Sequence, residues 1–171
     1  MKVTIDKDNT LYFTKLYPYM RKRGVSKPYQ ALLGVGGNIG DVRRRFNHLF
    51  ISLLKSPFIT VVETAPILKN PPFGYLEQDY FYNSLILVGT NLSPKALLRY
   101  ILLLEKRFGR KRPFQDAPRT LDIDIIFYED IDMESRDLII PHHAWRSRPS
   151  VTIPLSYMQS RYIQRKRDKI E

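Results

Sequence analysis

Apolar and polar positions alternate along this chain in two distinct periods, and the switches between them mark the elements. Ala31 to Val35 is a short apolar run and predicts a strand. It leads into Gly34-Val35-Gly36-Gly37-Asn38-Ile39-Gly40-Asp41, whose glycines suggest a tight turn and whose aspartate suits a helix N-cap. Phe46, Leu49, Phe50, Leu53 and Leu54 then recur at helical spacing until Pro57. Phe58 to Thr64 is β-branched and predicts a strand, whereas Ile67 to Gln78 holds two adjacent prolines and a glycine and reads as a loop. Tyr80 to Thr90 predicts another strand. Ser93-Pro94 is a cap followed by proline at the first helical position, and Leu97, Leu98, Ile101, Leu102, Glu105 and Phe108 form one broad face up to Gly109. An irregular basic loop from Arg110 to Pro118 precedes a strand over Thr120 to Tyr128, and Leu138 to Ile140 reads as a short strand. The order βαββαβ predicts a ferredoxin-like α+β sandwich, an antiparallel sheet with both helices on one face.

Composition adds a boundary condition. The chain has 171 residues, 43% hydrophobic, enough for one domain with a packed core. It has no cysteine, which excludes disulfides and thiolate metal sites. The opening residues carry no apolar run of signal-peptide type, and no run approaches a membrane span, so a cytoplasmic setting without a membrane partner is expected.

The net charge of +11 raises a nucleic-acid reading, so its location matters. Residues 1–28 hold seven Lys/Arg against two Asp, and residues 161–171 hold five against two acids. The body between them has sixteen bases and thirteen acids, a net of only +3. The imbalance therefore sits mainly in the ends, read as a basic N-terminal extension (1–28), a central domain (29–160) and a basic C-terminal tail (161–171), the ends as solvated termini. Tyr12, Phe13, Leu16, Tyr17 and Tyr19 nonetheless give the extension apolar groups with which to pack on the domain.

The candidate chemistry lies in Arg119-Thr120-Leu121-Asp122-Ile123-Asp124-Ile125-Ile126-Phe127. Residues two apart in a strand share a face, so Asp122 and Asp124 project together, about 7 Å apart, while Leu121, Ile123, Ile125 and Phe127 point the other way. Paired carboxylates in an apolar strand repel and are costly to desolvate; a hard cation removes both problems, and magnesium takes one or two carboxylates plus substrate phosphates. Asp-x-Asp alone is a weak motif that a solvent-facing strand edge would also satisfy. Arg107, Arg110, Lys111, Arg112 and Arg119 flank it, and carboxylates beside guanidinium groups describe a polyphosphate site. The glycine stretch lacks the Lys-Ser/Thr of a Walker motif and the spacing of a dinucleotide fingerprint. His142 and His143 have no metal-ligand spacing; a phosphate contact and an ordinary surface role are equally open.

Five blocks together resemble the 6-hydroxymethyl-7,8-dihydropterin pyrophosphokinase family over about residues 29–155: Leu33 to Asp41, Tyr80-Phe81-Tyr82-Asn83, Glu105 to Arg110, Ala117 to Asp124, and Ile140-Pro141-His142. The resemblance implies a ferredoxin-like fold and transfer of pyrophosphate from ATP to the pterin hydroxymethyl group, with release of AMP, in folate synthesis. It implies two Mg²⁺ ions on Asp122 and Asp124, and ATP and the pterin as small-molecule substrates. Arg110, Arg112 and Arg119 join the two aspartates as catalytic positions. Glu105, Arg112, Arg119, Ile125, His142, His143 and Arg148 fall at ATP positions, and Thr64, Ala65, Pro66, Ile67, Phe81 and Asn83 at pterin positions. No obligate protein partner is implied. Loops 66–79 and 110–118 are expected to close over the substrates.

The chain departs from the family pattern in the long stretch Asn70-Pro71-Pro72-Phe73-Gly74, in Phe114 where a tryptophan is common, and in Pro149-Ser150 where an aromatic stacks on the pterin. Phe73 or Tyr75 could supply that missing face. Two other readings compete. A basic ferredoxin-like RNA-binding domain would explain the charge but not the acids among the arginines, because carboxylates repel a phosphate backbone. An inactive relative would bind ATP but release no AMP.

Overall fold

A computed structural model describes residues 1–169. The elements in chain order are β1 (Lys2–Thr4), β2 (Thr10–Tyr12), β3 (Tyr19–Met20), β4 (Tyr29–Gly37), α1 (Val42–Lys55), β5 (Ile59–Thr64), β6 (Ile67–Asn70), β7 (Phe81–Thr90), α2 (Pro94–Arg107), β8 (Asp122–Tyr128), β9 (Met133–Glu134), β10 (Ile139–Ile140), α3 (Pro149–Leu155) and α4 (Arg161–Asp168). A 3-10 turn at Trp145–Ser147 precedes α3. The central strands run β8-β4-β7-β5, all neighbours antiparallel. Together with α1 and α2 they form the ferredoxin-like α+β core that the βαββαβ order predicts.

Local chemistry accounts for both long helices. Asp41 accepts a hydrogen bond from the Arg44 amide at 3.1 Å and caps α1. Ser93 accepts from the Ala96 amide at 3.3 Å and caps α2, with Pro94 at its first position. The buried stripe of α1 is Val42, Phe46, Leu49, Phe50 and Leu53, while Leu54 is exposed. In α2 the buried stripe is Leu97, Ile101, Leu104 and Glu105. The expected Leu102 is exposed instead. At about 100° per residue Leu102 lies roughly 140° around from Leu97, whereas Leu104 returns to within about 20° of it.

The sheet has apolar cores on both faces. Ala31, Leu33, Val35, Ile86, Val88, Ile123 and Ile125 face α1 and α2. Leu32, Leu85, Leu87, Ile126 and Phe127 face the opposite side, under Trp145, Val151, Leu155, Met158, Tyr162 and Ile163. The C-terminal residues therefore cover the sheet's second face, and the expectation of solvated ends is corrected at both termini. The α4 region buries Tyr162 and Ile163, and buried Glu63 of β5 accepts from the Gln159 and Ser160 amides at 2.7 and 3.0 Å. Ile170 and Glu171 of the expected tail lie outside the described residues.

The N-terminal 28 residues are built into the same sheet. β6, read as loop from sequence, pairs with the Phe81–Asn83 half of β7, while β5 pairs with its Ile86–Thr90 half. β2 then adds to β6 and β1 to β2, and β3 adds to β5. Tyr17 is fully buried, with its hydroxyl donating to the Phe46 carbonyl at 2.7 Å and its ring against Phe46 and Phe50.

One bulge corrects a predicted side-chain direction. The β4·β8 register shifts between Leu32 and Leu33, so Ile126 and Phe127 both reach the second face. Leu121, Ile123 and Ile125 keep the predicted direction, but Phe127 does not.

Candidate active site

The glycine stretch is mostly strand, not turn. Gly34, Gly36 and Gly37 lie within β4, and the turn occupies only 38–41, where Gly40 has φ of 71°. Gly34 stands opposite Asp124 and Gly36 opposite Asp122. Directly opposed residues share a face, so the residue beside each carboxylate has no side chain, and neighbouring side chains close in over it. A Cβ at 34 would meet Ile126 Cδ1 at 3.1 Å, and one at 36 would collide with Asn83 Oδ1. These positions floor a cleft of about 850 Å³ at the end of the second face.

The carboxylates differ in surroundings. Asp122 is partly exposed and ion-paired, at 3.3 Å to Arg110 Nη1 and 3.9 Å to Arg119 Nη1. Asp124 is pushed up to about 7 by burial, with the neighbouring Asp122 charge adding to it and Arg148 and Arg119 opposing it. Glu105 stands behind them. Its Oε2 accepts from the Ile123 amide at 2.8 Å and its Oε1 from Arg112 Nη2 at 2.8 Å, and burial raises its pKa. It thereby ties Arg112 to the strand between the two aspartates without lining the cleft.

Four arginines converge on this acidic pair: Arg110, Arg112, Arg119 and Arg148. The buried Nε atoms of Arg110 and Arg148 have no hydrogen-bond partner among the described residues. Unpartnered guanidinium donors beside paired carboxylates fit an anion whose charge is shared with a cation. Arg119 is placed by its backbone amide, which donates to Asn38 Oδ1 at 2.9 Å, and by the Phe81 ring, 4.7 Å beneath its guanidinium carbon. Arg45 braces the turn by donating to the Ile39 and Thr120 carbonyls at 2.6 and 2.9 Å.

His142 enters the cleft as a neutral donor. Its Nδ1 accepts from the Ala144 amide at 3.2 Å, which leaves the ring proton on Nε2. Burial, then the charge of Arg148 and His143, lowers its pKa to about 4. His143 is exposed and stacks on His142 at 4.8 Å.

The structure brings Arg110, Arg112, Arg119, Asp122, Asp124, His142, Arg148, Phe81 and Asn83 together around one cleft. It does not bring there the side chains of Thr64, Ala65, Pro66 and Ile67. All four are buried at the β5–β6 corner. The Thr64 hydroxyl donates to the Leu16 carbonyl at 2.6 Å and accepts from the Tyr19 amide at 2.8 Å, so the extension occupies it. Ala65 packs in the second core and Ile67 in the first. Ile125 also faces α1 and α2, away from the cleft.

The cleft is lined further along the chain, by Asn70, Pro71, Pro72 and Phe73. Asn83 Nδ2 donates to Asn70 Oδ1 at 2.6 Å. The unusual Asn-Pro-Pro-Phe-Gly stretch was the available signal. Of the two aromatics offered for the missing face, Phe73 lines the cleft, 5.2 Å from Arg148 Cζ. Tyr75 instead packs edge-on against Phe114 at 5.3 Å. Loops 71–80 and 108–118 are joined there, and also by Gln78 Nε2 donating to the Asp116 carbonyl at 2.9 Å.

Among the described residues no group of three or more His, Cys, Asp or Glu side chains forms a metal cage, and no helix is long and apolar enough to cross a membrane. Two carboxylates on the wall of an open cleft fit a magnesium ion that takes its other oxygens from a ligand's phosphates and water.

The family model described as 7,8-dihydro-6-hydroxymethylpterin-pyrophosphokinase matches residues 32–160. The chain is 36% identical over 148 residues to a Helicobacter pylori 2-amino-4-hydroxy-6-hydroxymethyldihydropteridine pyrophosphokinase, covering 85% of this chain and 91% of that one. It is 36% identical over 142 residues to the Campylobacter jejuni protein of the same name, covering 83% and 90%. It is also 40% identical over 124 residues to the bifunctional protein FolKE of Lactococcus lactis, covering 72% of this chain and 35% of that protein.

Proposed function

The chain belongs to the 7,8-dihydro-6-hydroxymethylpterin-pyrophosphokinase family, and we propose that it transfers the terminal pyrophosphoryl group of ATP to the hydroxymethyl oxygen of 6-hydroxymethyl-7,8-dihydropterin, releasing AMP. The observation that carries this reading is the register that sets Gly34 and Gly36 beside Asp124 and Asp122, in a cleft that four arginines also line. Asp122 and Asp124 would hold two magnesium ions. Bound there, magnesium neutralises the triphosphate and polarises its phosphoryl oxygens.

The rest is positioning and charge. Arg110, Arg112 and Arg119 take up the charge that moves to the α-phosphate as the bond to the β-phosphorus breaks. His142 Nε2–H and Arg148 donate to the nucleotide. The acceptor lies between Phe81 and Phe73, with Asn83 at its ring edge, and its hydroxymethyl oxygen attacks the β-phosphorus in line. Glu105 acts through Arg112 and β8 and does not touch substrate. Loops 71–80 and 108–118 exclude water when closed.

The test is to incubate the protein with ATP, Mg²⁺ and 6-hydroxymethyl-7,8-dihydropterin and to separate the nucleotides. AMP forming only when the pterin is present is the expected result. ADP would overturn the attack at the β-phosphorus. Bound but unchanged ATP would overturn the enzyme reading in favour of an inactive relative.

A further inference from the structure

The N-terminal hairpin ends inside the cleft. β1 and β2 pair through Lys2–Tyr12, Val3–Leu11 and Thr4–Thr10. β2 continues onto β6 with Thr10 opposite Lys69, and β6 onto β7 with Asn70 opposite Phe81. One further step of the same register sets Asn9 beside Asn70. Phe81, Asn70 and Asn9 thus form a row on one face of three strands, and all three line the cleft, as does Asp8. With neighbouring strands about 4.8 Å apart, the row spans roughly 10 Å, the length of a fused two-ring heterocycle.

The hairpin tip is held firmly. Asp6 accepts from the Asp8 and Asn9 amides at 2.8 and 2.9 Å, and from Asn9 Nδ2 at 3.1 and 3.0 Å. Leu11, immediately after the tip, is fully buried. The side-chain amide nitrogen of Asn9 is therefore engaged, and Oδ1 is the atom it offers to a ligand. Asp8 adds a carboxylate that accepts a 3.4 Å hydrogen bond from the Tyr80 hydroxyl.

The cleft is thus polarised. One end sets four guanidinium groups, Arg110, Arg112, Arg119 and Arg148, against the two carboxylates of Asp122 and Asp124, a formal excess of positive charge, and the hairpin end presents acceptors. Phosphate is repelled from a carboxylate and drawn to guanidinium groups, so the ends sort the two substrates. A 2-amino-4-oxopteridine carries an amine and an adjacent ring N–H on one edge, both donors, and a carboxylate with a neighbouring amide oxygen suits that edge. We propose that Asp8 and Asn9 form the outer wall of the acceptor subsite and bind the 2-amino edge of the pterin, making the N-terminal hairpin a specificity element of the enzyme. The inference rests on the pyrophosphokinase reading above.

The test uses the full chain, unaltered and as the Asp8→Ala/Asn9→Ala double variant. Initial rates are measured against ATP, against 6-hydroxymethyl-7,8-dihydropterin, and against an acceptor analogue lacking the 2-amino group. The expected result is a pterin KM raised roughly tenfold or more, as for loss of hydrogen bonds to a charged group, with ATP KM and kcat within about twofold. The unaltered enzyme should prefer the 2-amino compound, and the variant should lose that preference. Because the tip is held by Asp6, a melting curve that stays in place shows the hairpin intact, and Asp8→Ala alone gives a second, milder variant. If the unaltered protein forms no AMP, the pyrophosphokinase reading fails. If it turns over and the variant keeps its pterin KM and its discrimination, the hairpin inference alone is overturned. A joint rise in both KM values with a lowered melting temperature would overturn it too, showing the hairpin to be only structural.

Discussion

Asp124→Asn should stabilise the metal-free protein while destroying its activity. Asp124 is half-buried beside Asp122, and its carboxyl is raised from 3.8 to about 7, first by burial and then by that neighbour's charge. A folded pKa above the unfolded one means that ionisation costs stability. The metal-free protein therefore loses stability as pH rises from about 4 to about 7, with little further change above. At 1.36 kcal/mol per pH unit the full penalty is on the order of 4 kcal/mol. Asparagine removes the charge but must still be desolvated, and it gives up the attraction of Arg148 and Arg119. A net gain of about 1–3 kcal/mol at pH 8 is expected, shrinking towards pH 5. Urea unfolding of metal- and nucleotide-free protein at both pH values reads this directly, and AMP formation with Mg²⁺ reads the activity, which should fall by roughly a hundredfold or more. Equal destabilisation by Asp124→Asn at pH 5 and pH 8 would refute the reasoning, because the carboxylate would then carry no burden for a cation to relieve.

Gly36→Ala places a methyl group against Asn83 Oδ1 and should disturb the Asn83–Asn70 hydrogen bond. The expected cost is about 1–3 kcal/mol of stability, measured by urea unfolding, with pterin KM rising far more than ATP KM. Arg119→Ala should lower kcat by roughly a hundredfold with little change in melting temperature, since its main partners are Asp122 and the Phe81 ring within the cleft. Tyr17→Phe removes only the bond to the Phe46 carbonyl and should cost about 1 kcal/mol in urea unfolding, with both KM values unchanged.

The elements legible in the sequence were those whose signals are local. Asp41 and Ser93 announce helix starts because a short polar side chain can satisfy an amide three residues on. The unread elements owe their form to distant partners. β1 to β3 have two or three residues each: β2 and β3 exist as pairings onto edges that residues 59–70 provide, and β1 as a pairing onto β2. Ile67 to Asn70 reads as loop because two prolines follow, yet the free half of β7 recruits it. α4 is too polar to advertise a core face, with only Tyr162 and Ile163 buried, and the backbone just before it is held by Glu63, 96 and 97 residues away from its two amide donors. No window along the chain contains that pair.

The same division runs through the cleft. Period-two alternation was enough to put Asp122 and Asp124 on one face, since it depends only on the strand's own pleat. It misdirected Phe127 because a bulge is a property of the pair of strands, not of either one. The side chains of Thr64 to Ile67 lie outside the cleft for a related reason: a corner has no period, and only the docked extension decides which of its sides is covered. The Gly-x-Gly of β4 and the Asp-x-Asp of β8 are each weak motifs, separated by 85 or more residues, and the register joins them position by position. A slip of one residue would oppose the carboxylates with Val35 and its neighbour across the pleat, and turn the glycines towards the helices. The residues that make the site unusual are thus the ones with no side chain, and their value is visible only from the strand beside them.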